Sequence, residues 1–189
     1  MKKILLLAAI ALSSLSVKAQ TEPGTFTLMP KVGLNMANVT DLEHTKMKAG
    51  AVAGVEAEYR ASNLMGITAG VLYSMQGVKA DEGDYKQKLD YINIPILANF
   101  HVWKGLSINA GIQPGFLVSA KADYGDEDVD IKDGCESFDF SIPVGASYEW
   151  NSFVLDLRYN IGVTKIYKED EGSSKNGVLA ITLGYKFAL

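Results

Sequence analysis

Residues 138–163 read FDFSIPVGASYEWNSFVLDLRYNIGV and contain two runs in which apolar side chains occupy every second position. Successive side chains of a β-strand point to opposite faces, so this period of two predicts two strands that each have one apolar face. Only Asn151 and Ser152 separate the runs, which predicts an antiparallel hairpin with a tight turn. Each run has roughly the ten residues that a tilted strand needs to cross a membrane.

The same alternation recurs along the chain and defines eight segments. Their apolar faces begin at Phe26, Ala51, Met65, Ile92, Leu106, Phe138, Phe153 and Leu179. Long polar connections (35–48, 77–88, 120–136 and 165–176) alternate with short turns (61–63, 103–105 and 151–152). This rhythm is typical of an outer-membrane barrel, whose long loops lie outside the cell and whose tight turns lie in the periplasm. We therefore predict an all-β fold, an eight-stranded antiparallel up-and-down transmembrane β-barrel.

The polar face of the segments separates this prediction from a soluble lipocalin-like barrel, in which the same alternation is turned inside out. Most side chains on that face are small, among them Gly66, Gly70, Gly111, Ser141 and Gly145. Eight strands enclose an interior that side chains just fill, so small residues suit a lumen. A face exposed to water would carry more long Lys and Glu side chains.

Charged residues of both signs share the polar face, and we predict that they pair in the lumen, since pairing is how a narrow interior tolerates charge. This predicted charge network consists of Lys31, Glu56, Glu58, Arg60, Asp139, Glu149, Asp156, Arg158 and Lys186. Aromatic residues next to the short turns or the C-terminus predict an interfacial girdle on the periplasmic side. Its predicted members are Tyr59, Phe100, Trp103, Tyr148, Trp150, Phe153 and Phe187.

The N-terminus predicts export. Lys2 and Lys3 precede the apolar run 4–12, and Ala19 ends a segment of small residues, a pattern typical of a cleaved secretory signal peptide. We predict a signal peptide at residues 1–19 and the barrel domain at residues 20–189. The chain has 18 basic and 22 acidic residues; without Lys2, Lys3 and Lys18 the balance is 15 against 22. This acidic balance predicts no binding to nucleic acid.

Four short segments carry a resemblance to a known family. They are LDYINIPIL (89–97), AGIQPG (110–115), LDLRYNIG (155–162) and LGYKF (183–187). In this order they resemble the PorT-like outer-membrane β-barrel family of Bacteroidetes. The resemblance implies a barrel in the outer-membrane lipid that is delivered by periplasmic chaperones and the outer-membrane assembly machinery. One relative serves the type IX secretion system, which implies an accessory role in secretion. Many such barrels end on an aromatic residue, whereas this chain adds two residues after Phe187.

Few residues of the sequence are candidates for catalysis or for a disulfide. His44 beside Asp41 or Glu43 is the one candidate for catalysis at the outer rim, and we predict that His101 is an interfacial side chain. Cys135 is the single cysteine and predicts no internal disulfide. We predict no cofactor and no enzymatic activity.

The third long connection contains Asp126, Asp128 and Asp130 at the spacing of a calcium loop, but Ile131 replaces the glycine that such a loop requires. We therefore expect a solvated acidic loop, with a weak divalent-cation site as the alternative. The long connections contain 15 of the 22 acidic residues. Our functional hypothesis is a membrane protein that contacts an envelope protein or a surface ligand through its external loops, or that supports envelope integrity. A small channel and a soluble ligand-binding barrel are the alternatives.

Overall fold

A computed structural model describes residues 22–40, 45–81, 85–125, 127–168 and 174–189. These residues form eleven β-strands and one short 3-10 helix at Lys132–Gly134. The strands are β1 (Phe26–Val39), β2 (Thr45–Arg60), β3 (Met65–Ala80), β4 (Lys86–Asn93), β5 (Ile96–Trp103), β6 (Leu106–Asp123), β7 (Asp128–Asp130), β8 (Phe138–Trp150), β9 (Phe153–Gly162), β10 (Asn176–Tyr185) and β11 (Phe187–Ala188). No helix in this part of the chain is long and apolar enough to span a membrane.

The strands pair antiparallel and close into a ring. β1 pairs with β2 on one side and with β10 on the other, from Lys31 opposite Gly184 to Val39 opposite Asn176. β4 and β5 together form the fourth strand of the ring, and β10 and β11 form the eighth. The break before β5 falls at Pro95, which has no N–H to donate to a neighbouring strand. The predicted ring of eight strands is therefore confirmed.

The barrel has an apolar outer face and a polar interior. Outward-facing side chains such as Val32 (63% exposed) and Leu34 (65%) are open to the surroundings, while Asn35, Glu56 and Arg158 are buried. A protein dissolved in water has the opposite arrangement, because exposed apolar surface is unfavourable there. The alternative of a soluble lipocalin-like barrel is therefore wrong.

The strands extend further on the long-loop side than the polarity of the sequence predicted. β3 continues to Ala80, β4 begins at Lys86 and β6 ends at Asp123, so much of the predicted connections 77–88 and 120–136 is sheet. Gly77 allows this extension of β3, since it has a φ of 121° and an added Cβ would lie 2.0 Å from the carbonyl oxygen of Gln87. Main-chain pairing thus continues into polar sequence, because it does not depend on apolar side chains.

Candidate functional site in the barrel lumen

Four charged side chains meet in the centre of the lumen. Arg158 Nη1 lies 2.9 Å from Glu56 Oε1, and Arg158 Nη2 lies 2.8 Å from Asp156 Oδ2. Lys31 Nζ lies 3.0 Å from Glu56 Oε2 and 3.4 Å from Asp156 Oδ2. Two cations and two carboxylates balance, and all four residues are buried. We call this group the central quartet. The stability of the folded barrel depends on all four members, because a buried charge that loses its partner is strongly destabilising.

A second group, the periplasmic cluster, lies nearer the short turns. Lys186 Nζ is 2.8 Å from Glu58 Oε2 and 2.7 Å from Glu149 Oε2, and His101 Nε2 is 3.1 Å from Glu58 Oε1. His101 Nδ1 lies 2.7 Å from Ser107 Oγ and 3.2 Å from a guanidinium nitrogen of Arg60. Arginine can only donate, so we assign Nδ1 as the acceptor and Nε2–H as the donor to Glu58.

The predicted charge network thus divides into separate groups. Arg60 donates to His101 and to the carbonyl oxygens of Ser62 and Asn63 at the periplasmic rim, without an acidic partner in the described part of the chain. Asp139 lies towards the opposite end, where its Oδ1 accepts a hydrogen bond of 2.9 Å from Thr164.

The expectation that His101 is an interfacial side chain was wrong. Its side chain is 10% exposed and faces the lumen with the periplasmic cluster. The alternation of side chains along the strand predicts this inward orientation, because His101 follows the outward-facing Phe100 by one position.

An apolar cap closes the extracellular end of the lumen, where the sequence indicated only polar loops. Its buried members are Val39, Val78, Leu89, Tyr91, Leu117, Ala120, Cys135 and Ile166. Glu136 N donates to the carbonyl oxygen of Ile166 at 2.7 Å, and Lys168 N donates to that of Gly134 at 3.0 Å, so two loops are joined over the mouth. The sequence signal for the cap is a set of apolar residues within the mainly polar connections: Val39, Val78, Ala120, Cys135 and Ile166.

Little space remains between the cap and the periplasmic cluster. The two cavities beside the central quartet measure about 20 and 10 Å³, close to the size of one water molecule. A larger opening of about 960 Å³ lies at the periplasmic end, with Arg60, His101 and Tyr148 among its lining residues. The residues that the structure describes therefore leave no continuous passage from one end of the lumen to the other.

Aromatic side chains surround the barrel at its periplasmic end. Of the seven predicted girdle residues, six are exposed on the outer face and Phe187 is half-buried. Phe26 and Tyr185 extend the group: the rings of Phe26 and Tyr59 have centroids 4.7 Å apart, and Tyr185 lies between Phe153 (5.1 Å) and Phe187 (4.7 Å). Amphipathic rings favour this position at a membrane surface.

Within the described ranges, the remaining candidates form no reactive centre. Asp128 pairs with Lys88 at 3.1 Å, and Asp130 Oδ1 accepts from the backbone N–H of Lys132 at 2.9 Å. Among the described residues, no group of three His, Cys, Asp or Glu side chains is placed to hold a metal ion. Asp126 and the segment 41–44, which contains His44, lie outside the described residues.

Cys135 offers a test of the cap. The residue is 1% exposed, and burial raises the pKa of its thiol, so the reactive thiolate is scarce at neutral pH. We expect maleimide to modify the folded protein slowly and the urea-unfolded protein at once, as followed by intact mass. Equal rates for the two samples would show that the loops do not cover Cys135.

Comparisons with known proteins agree with this architecture. A model of the outer membrane protein beta-barrel domain family matches residues 18–168. Neisserial surface protein A is similar in structure, with a TM-score of 0.54, 17% identity and coverage of 89% of this chain and 100% of the other. Ail of Yersinia pestis, solved with the heparin analogue sucrose octasulfate, has a TM-score of 0.55 and 16% identity (88% and 100% covered). OprG of Pseudomonas aeruginosa has a TM-score of 0.51 and 15% identity (90% and 99% covered).

No curated protein matches the chain in sequence. The structural neighbours share few residues with it, so they show the fold alone, whereas the family model matches the sequence itself over most of its length. The closed ring, the apolar outer face and this match together lead to one conclusion. The chain belongs to the outer membrane protein beta-barrel domain family and is a protein of the bacterial outer membrane.

Proposed function

We propose that this protein is a non-enzymatic outer-membrane barrel that acts through its extracellular surface, with a PorT-like accessory role in secretion as its specific task. The blocked lumen is the observation that carries the proposal. The apolar cap lies above the central quartet, and the two cavities beside the quartet hold about one water molecule each. A small channel is disfavoured for the same reason, because neither the cap nor the ion pairs leave room for a solute.

The extracellular surface offers a place for contact. β7 folds back on the end of β6, from Lys121 opposite Asp130 to Asp123 opposite Asp128. This hairpin exposes Tyr124 (62%) directly after β6 and Val129 on β7, and the ring of Tyr124 lies 5.1 Å from that of Tyr85. Exposed aromatic and apolar side chains at the end of a membrane barrel are typical of a surface that binds another protein.

The experiment is complementation of a deletion strain with the wild-type gene, a Tyr124→Ser/Val129→Ser variant and a Lys175→Ala control. The readouts are the secreted fraction of cargo proteins and the permeability of the envelope to a detergent. We expect the wild type and the control to restore both readouts and the hairpin variant to restore neither, because the hairpin variant loses its contact surface. A heat-dependent gel shift verifies that each variant folds.

Three results would contradict the proposal. The first is a deletion strain with normal secretion and normal permeability, and the second is full complementation by the hairpin variant. The third is a set of discrete conductance steps above background from the purified protein in planar bilayers, which would favour the channel instead.

A further inference from the structure

Five lysines stand in cross-strand rows near the extracellular ends of β2, β3, β4 and β6. Lys79 lies directly opposite Lys46 on one side and Lys86 on the other, and Lys88 lies opposite Lys121. Like charges in directly opposed positions destabilise a sheet. These five residues, which we call the lysine belt, therefore require a source of negative charge nearby.

The belt faces outward from the barrel. Val78, Leu89 and Ala120 are buried in the apolar cap, and each precedes or follows a belt lysine by one position. Because side chains alternate along a strand, Lys79, Lys88 and the other belt residues in their rows point to the outer face. The belt consequently lies on the side wall of the barrel and not in its mouth.

The belt begins where the apolar outer face ends. The last large apolar side chains exposed on β3 and β6 before the belt are Met75 and Val118. The apolar band of a membrane barrel matches the lipid hydrocarbon, so the positions directly beyond it lie among the lipid headgroups of the outer leaflet. Lysine suits this level, since its stem covers apolar surface while its ammonium reaches the polar layer.

Acidic partners within the sheet balance only part of the belt. Lys46 lies 3.3 Å from Asp81, and Lys88 lies 2.9 Å from Asp123 and 3.1 Å from Asp128. Lys121 reaches Asp128 only at 3.9 Å. Asp123 lies opposite Lys86 in the first row, and Asp130 lies opposite Lys121 in the second. Lys79 has a lysine on both sides, and neither Lys79 nor Lys86 forms an ion pair within the described ranges of the chain.

We propose that the lysine belt binds the phosphate groups of anionic outer-leaflet lipids, with a phosphorylated glycolipid such as lipid A as the occupant. Several ammonium groups in register suit a headgroup that carries more than one phosphate, because each lysine offers a compact charge to a separate oxygen. A lipid also fits the position, since lipid surrounds the side wall of a membrane barrel. This inference is independent of the loop function proposed above.

The test uses the full-length protein refolded in uncharged detergent and titrated with purified lipid A that carries its phosphates. The belt variant is Lys46→Gln/Lys79→Gln/Lys86→Gln. The matched control, Lys104→Gln/Lys165→Gln/Lys175→Gln, removes the same charge at positions outside the belt. We expect the belt variant to bind roughly tenfold or more weakly than the wild type, given the contribution of each lysine beside an anionic lipid surface. The control should retain wild-type affinity.

Two further titrations identify the ligand. Lipid A stripped of its phosphates should bind the wild type weakly, and inorganic phosphate at millimolar concentration should not displace lipid A. Equal binding by the belt variant and the control, or full binding of the stripped lipid, overturns the proposal. Displacement by free phosphate would make the belt a site for a soluble anion and overturn the lipid as its occupant.

If the belt variant does not fold, the salt dependence of lipid A binding by the wild type tests the proposal. Salt screens interactions between exposed charges, so the affinity for lipid A should fall steadily between roughly 50 mM and 500 mM salt, a range over which the screening length shortens about threefold. An affinity that does not change with salt overturns the proposal.

Discussion

The Arg158→Leu variant is expected to lose about 3–5 kcal/mol of folding free energy, the range for removal of one member of a buried ion pair. Arg158 contacts Glu56 at 2.9 Å and Asp156 at 2.8 Å, and leucine would leave these two buried carboxylates with Lys31 alone. The measurement is the urea midpoint of the protein refolded in lipid vesicles, with the heat-dependent gel shift as a second indicator of a closed barrel.

Two further variants serve as comparisons for Arg158→Leu. Lys175→Ala removes a positive charge from a loop end and should leave the urea midpoint nearly unchanged. Arg158→Lys should lie between the two, because one ammonium group cannot reproduce the paired contacts of a planar guanidinium. If Arg158→Leu and Lys175→Ala have the same midpoint, Arg158 does not face the packed lumen.

The second large effect is expected from Gly111→Ala, which should cost about 1–3 kcal/mol or more, the range for overpacking a tight interior. A Cβ at Gly111 would lie 2.0 Å from the carbonyl oxygen of Ile96 and 2.8 Å from the Cα of Leu97. Both are backbone atoms of β5, which pairs with β6 at this point, so relief requires the strands to move apart. The folded fraction on an unheated gel and the urea midpoint measure the effect.

Gly134→Ala is the matched control for this substitution. No atom lies within 4 Å of a Cβ added at Gly134, and the residue does not have a positive φ. The added methyl group should therefore leave the midpoint unchanged. If Gly111→Ala proves as stable as Gly134→Ala, the close approach of β5 and β6 at Gly111 is not present in the folded protein.

The ring of strands and the facing of most side chains were predictable because they follow from a local rule. Alternation of apolar residues at every second position depends only on the geometry of the extended chain, and it placed Lys31, Glu56 and Arg158 on one face without any knowledge of the fold. The same rule assigns His101 to the lumen, although its place at a periplasmic strand end led to the expectation of an interfacial side chain.

The choice of ion-pair partners was not predictable. Lys31 and Asp156 are 125 residues apart in the chain, and they meet only because β1 pairs with β10, which carries β9 beside it. The stagger of the closing strands sets which charges share a level of the lumen, and no local pattern encodes that stagger. For this reason the nine predicted lumen residues divide into the central quartet, the periplasmic cluster, which Arg60 joins through His101, and Asp139 outside both.

The sequence alone therefore established the strand pattern, the outer-membrane barrel and the polar lumen, since each of these follows from properties of neighbouring residues. The apolar cap and the lysine belt depend instead on the folded barrel. Cys135 and Ile166 come together over the mouth, and Lys46, Lys79 and Lys86 come into one row, only after distant segments pair in a fixed register. Contacts of this kind are properties of the closed ring, because its register decides which residues become neighbours.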